Sequence, residues 1–286
     1  MDARSLSPRR RVRTRVLGLV TMAAAATALV RAGAPQGPAP GAARGADAPL
    51  SFTVPSRVLG EARLVNVQIP AACAGRSPCP VLYMPDGGMH EDFPHVAAAV
   101  TALMTDHRIR PTILVGVPNT ARRRDLTGPT TVDSDRAIAP VVGGSAAFRR
   151  FLRDELIPEV TRRFHPADER AIVGESLAGL FVIETFLVEP ALFTHYVALD
   201  PSLWWNGGAL VASAGDQLGA LHATPRSIFF ASADTPEMVA ACERLAATLR
   251  TRAPGSLRWH YQPRPDLTHA TIFRGIEATA LAFALR

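Results

Sequence analysis

Beyond residue 50 the chain alternates between short apolar runs and longer stretches of helical periodicity. "ARLVNVQIP" alternates apolar and polar residues, as a half-buried edge strand does. "PVLYMPDGG" and "PTILVGVPN" are continuous apolar runs that end in turn residues, as strands covered on both faces do. "HVAAAVTALMTD" between them has helical spacing. A long polar loop follows, "TARRRDLTGPTTVDSDRAIAPVVGG", and then an amphipathic helix, "SAAFRRFLRDELIPEVTRRF", with Ser145 expected as its N-cap. The alternation continues with the strand "ERAIVGE", the helix "SLAGLFVIETFLV", and the strands "THYVALDPS" and "RSIFFASAD". The helix "PEMVAACERLAATLRTR", with Pro236 in its first turn, the strand "LRWHYQP" and the helix "ATIFRGIEATALAFAL" complete it. This order predicts a single α/β domain over residues 50–286, with a mostly parallel central sheet and helices on both faces. No internal repeat or second domain boundary interrupts it.

Charge changes the picture only at the N-terminus. The formal net charge is +6, and residues 1–49 carry all of it, with eight arginines against two aspartates. The remainder is neutral overall, which argues against a nucleic-acid-binding body. "SPRRRVRTRV" is a basic n-region and "LGLVTMAAAATALV" a short apolar h-region, followed by small-residue cleavage sites in "RAGA" and "GADA". The expectation is a cleaved signal peptide over 1–34 and a linker over 35–49, with a secreted or periplasmic mature protein. The apolar run is shorter than the roughly 20 residues that span a bilayer, so no stable membrane insertion is expected after cleavage. Cys73 and Cys79 flank "AGRSP", a small loop suited to a disulfide in an oxidising compartment. Cys242, in an alanine-rich helical stretch, reads as a buried small hydrophobe. No cysteine or Cys/His cluster suggests a metal, and no cofactor is expected.

The chemistry is concentrated where strands end. In "IVGESLAGLF" a strand runs through Gly174 and Glu175 to Ser176 and then into a helix. That is the setting of a nucleophile elbow, a strained turn that lifts a serine hydroxyl above the sheet. Ala178 stands where the G-x-S-x-G pattern has its second glycine. The plain alternative is a serine N-cap, but partners follow in the order Ser…acid…His expected of an α/β-hydrolase. His269 lies between the last strand and the last helix and is the expected base. Asp234, ending "RSIFFASAD", is the expected acid, with Glu237 and Asp200 as rivals. The amide of Leu177 and one from the "PDGG" turn, assigned to Gly88, are the expected oxyanion donors.

Taken together, "VLYMPDGG", "NTARRRDLTGPT", "GESLAGLF", "DPSLWW" and "THATIF" resemble the esterase D/enterochelin esterase-like group of α/β-hydrolases, over about residues 50–286. Such proteins hydrolyse carboxylic esters, and several cleave ester-linked catecholate siderophores. The resemblance implies Ser176 as nucleophile, His269 as base and Gly88 and Leu177 as oxyanion donors. It also draws Arg122 and Arg124 in as substrate-binding residues, because an arginine of this loop faces the anionic substrate in siderophore-cleaving members. Three adjacent arginines suit a carboxylate, catecholate or phosphate. Trp204 and Trp205 follow a strand end on the same rim, one expected in the pocket and the other in the core. The sequence therefore predicts an exported serine hydrolase acting on a small-molecule ester. An acyltransferase or a non-catalytic binder on the same fold are the alternatives.

Overall fold

The structure is a computed structural model and describes residues 49–74, 78–219 and 225–286. The expected signal peptide and all but the last residue of the expected linker lie outside the described residues. The strands are β1 (Leu50–Ser56), β2 (Glu61–Gln68), β3 (Val81–Pro85), β4 (Ile113–Val117), β5 (Arg170–Glu175), β6 (His195–Leu199), β7 (Arg226–Ser232) and β8 (Leu257–Pro263). Among the described residues they form an eight-stranded sheet in the order β1-β2-β4-β3-β5-β6-β7-β8. β1 pairs with β2, and β2 with β4, antiparallel; the other neighbours are parallel. This is the α/β-hydrolase arrangement.

β3 and β4 are buried at every position, which explains their unbroken apolar runs. Their side chains alternate between two cores. Val81 and Tyr83 join one, Leu82 and Met84 the other. The second core is closed by α1 (Phe93–Thr105) and α9 (Ile272–Leu285), through Val96, Val100, Ile276 and Leu281. The first is covered by α4 (Ser145–Phe151), α5 (Ile157–Phe164), α6 (Leu177–Val188), α7 (Ala209–Leu218) and α8 (Pro236–Arg252). A π-helical turn, Leu152–Leu156, joins α4 to α5. Each fully buried Leu, Val or Phe in these layers stabilises by roughly 1.5–3 kcal/mol.

Four details depart from the sequence reading. "ARLVNVQIP" is not the edge strand, because β1 pairs outside it; β1 carries Pro55, which an edge strand tolerates. Ser145 is the first helical residue rather than the cap. Gly144 holds the cap position, and Ser145 is buried with its hydroxyl unpaired. The long polar loop contains two short helices, α2 (Arg122–Asp125) and α3 (Asp133–Arg136). A further helix, α7, follows "SLWWNGG". A disulfide joins Cys73 to Cys79, and Cys242 is buried as a free thiol.

Candidate active site

Ser176 connects β5 to α6 with φ 59° and ψ −121°, a conformation that L-residues adopt only under strain of about 1–3 kcal/mol. Main-chain bonds on both sides hold it there. The Ser176 amide donates to the Leu199 carbonyl at 3.0 Å, and the Ser202 amide donates to the Ser176 carbonyl at 3.0 Å. A Cβ at Gly174 would come within 2.7 Å of the Ala178 methyl and main chain. Glycine at 174 thus makes room for alanine at 178, which accounts for the local mismatch in the motif. The Ser176 hydroxyl lies 3.4 Å from that of Ser202. Among the described residues no hydrogen bond joins it to His269; catalytic contacts of this kind are often open without substrate.

The carboxylate beside His269 is not the one expected from sequence. His269 Nδ1 is 2.6 Å from Oδ2 of Asp200, the residue immediately after β6. Asp200 is fully buried, has φ 41°, and accepts the Ala233 amide on its other oxygen at 2.8 Å. Asp234, the expected acid, is exposed; its amide donates to the Leu267 carbonyl at 3.0 Å, so its main chain steadies the His269 loop while its carboxylate faces water. Glu237 is exposed in the first turn of α8. Leu199 accepts the Ser176 amide, so Asp200 is one residue from a direct contact with the elbow. That adjacency brings the His269–Asp200 pair to the serine. The hydrogen bond that His269 donates to Asp200 raises its pKa above the ordinary value; partial burial opposes this, and the charge of Glu175 adds to it.

Leu177 opens α6, so its amide has no intrahelical acceptor and points out from a helix N-terminus. Gly88 differs from expectation. Its amide donates to Glu91 Oε2 at 2.7 Å, and Oε1 of the same carboxylate accepts from the amide and side chain of Asn119 at 3.2 and 3.0 Å. The neighbouring turn is tightly built. A Cβ at Gly87 would overlap the main chain at Gly116, 2.3 Å away.

The three arginines divide their roles. Arg122 forms a bidentate pair with buried Asp86, both bonds 2.7 Å, and so braces the turn that carries Gly88. Arg124 bonds Asp125 at 2.7 Å and Glu61 at 2.8 Å, beside fully buried Arg63, which takes Asp125 at 2.6 Å. Both arginines expected to bind substrate are therefore committed to internal carboxylates. Exposed Arg123 has no such carboxylate partner among the described residues, and a cavity of about 450 Å3 lies against this turn and residues 139–141. Trp205 is buried and donates from Nε1 to the Gly128 carbonyl at 2.9 Å, whereas Trp204 stays 38% exposed at the rim.

A model of the family described as "Putative esterase" matches residues 56–234. The chain belongs to this esterase family. The Ferri-bacillibactin esterase BesA of Bacillus subtilis is 36% identical over 109 residues, 34% of this chain and 38% of that protein. The siderophore triacetylfusarinine C esterase of Aspergillus fumigatus is 31% identical over 171 residues, 54% of this chain and 56% of that protein. These matches therefore span about two-fifths and just over half of the relatives' own lengths. Among solved structures, an IroE-like serine hydrolase from Shewanella oneidensis superposes with TM-score 0.73 at 25% identity, covering 83% of this chain and 78% of its own. The BES protein from Bacillus cereus gives TM-score 0.74 at 21% identity, covering 83% and 96%.

Of two features at the candidate site, one is ranked only as a rival in the sequence and the other escapes it. "ALDPS" held the signal for Asp200: an acid ending the strand beside the nucleophile's strand and stopped by proline. The Glu91 contact left no sequence signal beyond a carboxylate three residues after Gly88.

Proposed function

We propose that this member of the esterase family hydrolyses carboxylic esters through a serine acyl-enzyme, with anionic or siderophore esters as its substrate class. The observation that carries the reading is the Asp200–His269 pair, held next to a serine in a strained strand-to-helix elbow. Ser176 Oγ attacks the ester carbonyl while His269 Nε2 takes its proton. Asp200 holds the proton on Nδ1 and stabilises the imidazolium. The developing oxyanion draws on the Leu177 amide, and on Gly88 once substrate displaces the Glu91 carboxylate. His269 then gives its proton to the leaving alcohol, and water repeats the sequence on the acyl-enzyme.

The substrate class is supported by the relatives' esters and by Arg123, the member of the arginine turn free to meet an anion at the cavity beside it. The basic, apolar N-terminal sequence and the Cys73–Cys79 disulfide support export. The test is hydrolysis of p-nitrophenyl butyrate and of tri-catecholate lactones, iron-free and ferric, by the purified protein. Cleavage of both classes that disappears in Ser176→Ala is the expected result. Turnover that survives in Ser176→Ala contradicts the mechanism, and inertness toward every lactone contradicts the substrate class. Recovery of the protein outside the cytoplasm, shortened at its N-terminus, checks export.

A further inference from the structure

Glu175 ends β5 and immediately precedes the nucleophile. The strand delivers it, half-buried, to the catalytic end of the sheet, opposite Leu199 in the register with β6. Among the described residues no hydrogen bond reaches its carboxylate. A carboxylate left in that state costs free energy unless charge compensates it. The groups acting on it come from five neighbouring segments. Asp86 belongs to the turn after β3, and Asp92 caps α1. Arg122 opens α2, Asp200 follows β6, and His269 precedes α9. Arg122 donates two 2.7 Å bonds to Asp86, whereas His269 commits one ring nitrogen to Asp200 and its other nitrogen has no hydrogen-bond partner among the described residues.

We infer that Glu175 is a second carboxylate partner of the His269 imidazolium, a positioning residue that acts through His269 rather than on substrate. The inference rests on the proposed serine-hydrolase reading. When Ser176 attacks, its O–H bond breaks, the Oγ–carbon bond forms and the proton passes to Nε2. The ring becomes a cation, facing Asp200 through a hydrogen bond and Glu175 through space. When the proton leaves on the departing alcohol, the cation disappears. Glu175 exchanges no proton in these steps. Its charge lowers the energy of the charged-ring state on both halves of the reaction.

The electrostatics run the same way. Burial raises the Glu175 pKa to about 7, the His269 charge holds it down, and Asp92, Asp200 and Asp86 push it further up. Glu175 in turn raises the His269 pKa, behind the hydrogen bond that His269 donates to Asp200. Removing the charge must therefore let the imidazole lose its proton at lower pH while weakening the imidazolium formed during turnover. A purely structural Glu175 has no reason to produce that pairing.

The experiment follows the His269 ring signals by NMR against pH in full-length Ser176→Ala and in Ser176→Ala/Glu175→Gln, with the peak assigned by its loss in His269→Ala. The midpoint should fall by about half a unit or more in the Gln variant, as loss of a nearby opposite charge requires. Glu175→Asp, which keeps the charge, should recover part of the shift. A midpoint that does not move in Gln overturns the inference, as does one that moves equally in Asp and Gln. In the active protein, Glu175→Gln should shift the acid limb of kcat/KM to lower pH while the plateau falls about three- to tenfold. Rates that drop at every pH with the limb unmoved assign Glu175 to structure alone and overturn the inference. The NMR arm needs no turnover, so a protein inert to esters sinks the hydrolase reading separately.

Discussion

Two of the histidine–carboxylate pairs on this fold have nearly the same hydrogen-bond length and opposite consequences. His95 Nδ1 meets Glu277 at 2.7 Å, and its Nε2 meets Asp92 at 3.2 Å. His269 Nδ1 meets Asp200 at 2.6 Å, and its second nitrogen has no hydrogen-bond partner among the described residues. The His95 side chain is 7% exposed and packs edge-on against Phe273, 4.8 Å away. That of His269 is 42% exposed. Burial pulls the His95 pKa down, but the hydrogen bonds it donates to Asp92 and Glu277 outweigh this and raise it to about 9. His95 is thus a fixed cation that ties α1 to α9. His195 also has both ring nitrogens engaged, by Ser227 and Glu169, but there burial wins and lowers its pKa, so its carboxylate partner does not fix a charge. A carboxylate partner alone does not mark a catalytic histidine. Under the proposed mechanism, the mark is a second nitrogen left open near the elbow serine.

The largest effect that separates the two pairs is expected at His269. His269→Ala should lower kcat by about 10^4-fold or more with little change in Tm, whereas His95→Ala should lower Tm and leave the folded protein active. Rates and melting curves on both variants check this, and an active His269→Ala removes the distinction. The acid comes next. Asp200→Asn should cost about 10^3- to 10^4-fold in kcat, because the wrong tautomer of His269 is favoured. Asp234→Asn should change the rate by less than about twofold, being an exposed substitution. The reverse order would restore the acid expected from sequence.

The pairs should also respond to pH in different observables. The fold favours charged His95, so its contribution to stability is complete below the ordinary histidine value of 6.5 and is lost as pH rises through about 9. Tm should fall across that window in the wild type and fall less in His95→Gln. His269 must be neutral to act as base, and its pKa is raised, chiefly by Asp200. The acid limb of kcat/KM should therefore lie above about pH 6.5 and move down in Asp200→Asn. The smallest effect belongs to the arginine turn. Arg123→Ala should raise KM for an anionic ester about three- to tenfold and leave a neutral ester unchanged. Equal losses on both esters would remove Arg123 from substrate recognition.

Much of the sheet and the core of the site were legible in the sequence, for identifiable reasons. β3 and β4 are unbroken apolar runs because both faces are covered. Ser176 stands out because an elbow requires a glycine at 174, and His269 because it occupies the loop before the last helix. Asp200 was ranked behind Asp234 because strand ends look alike in one dimension. Only the pairing of β5 with β6 shows which one abuts the serine. The arginines were misread because their partners, Asp86 and Glu61, are remote in the chain and meet them only after folding. The same holds for Glu91 on Gly88, since a carboxylate near a turn carries no sign of the amide it will take.

The central claim is that Ser176 is a nucleophile activated by His269 and Asp200. Its most direct test is covalent labelling with a fluorophosphonate, followed by peptide mass spectrometry. The account predicts one adduct, on the peptide containing Ser176, absent in Ser176→Ala and slowed by orders of magnitude in His269→Ala and Asp200→Asn. An adduct on another residue, or labelling at the wild-type rate in His269→Ala, would contradict it.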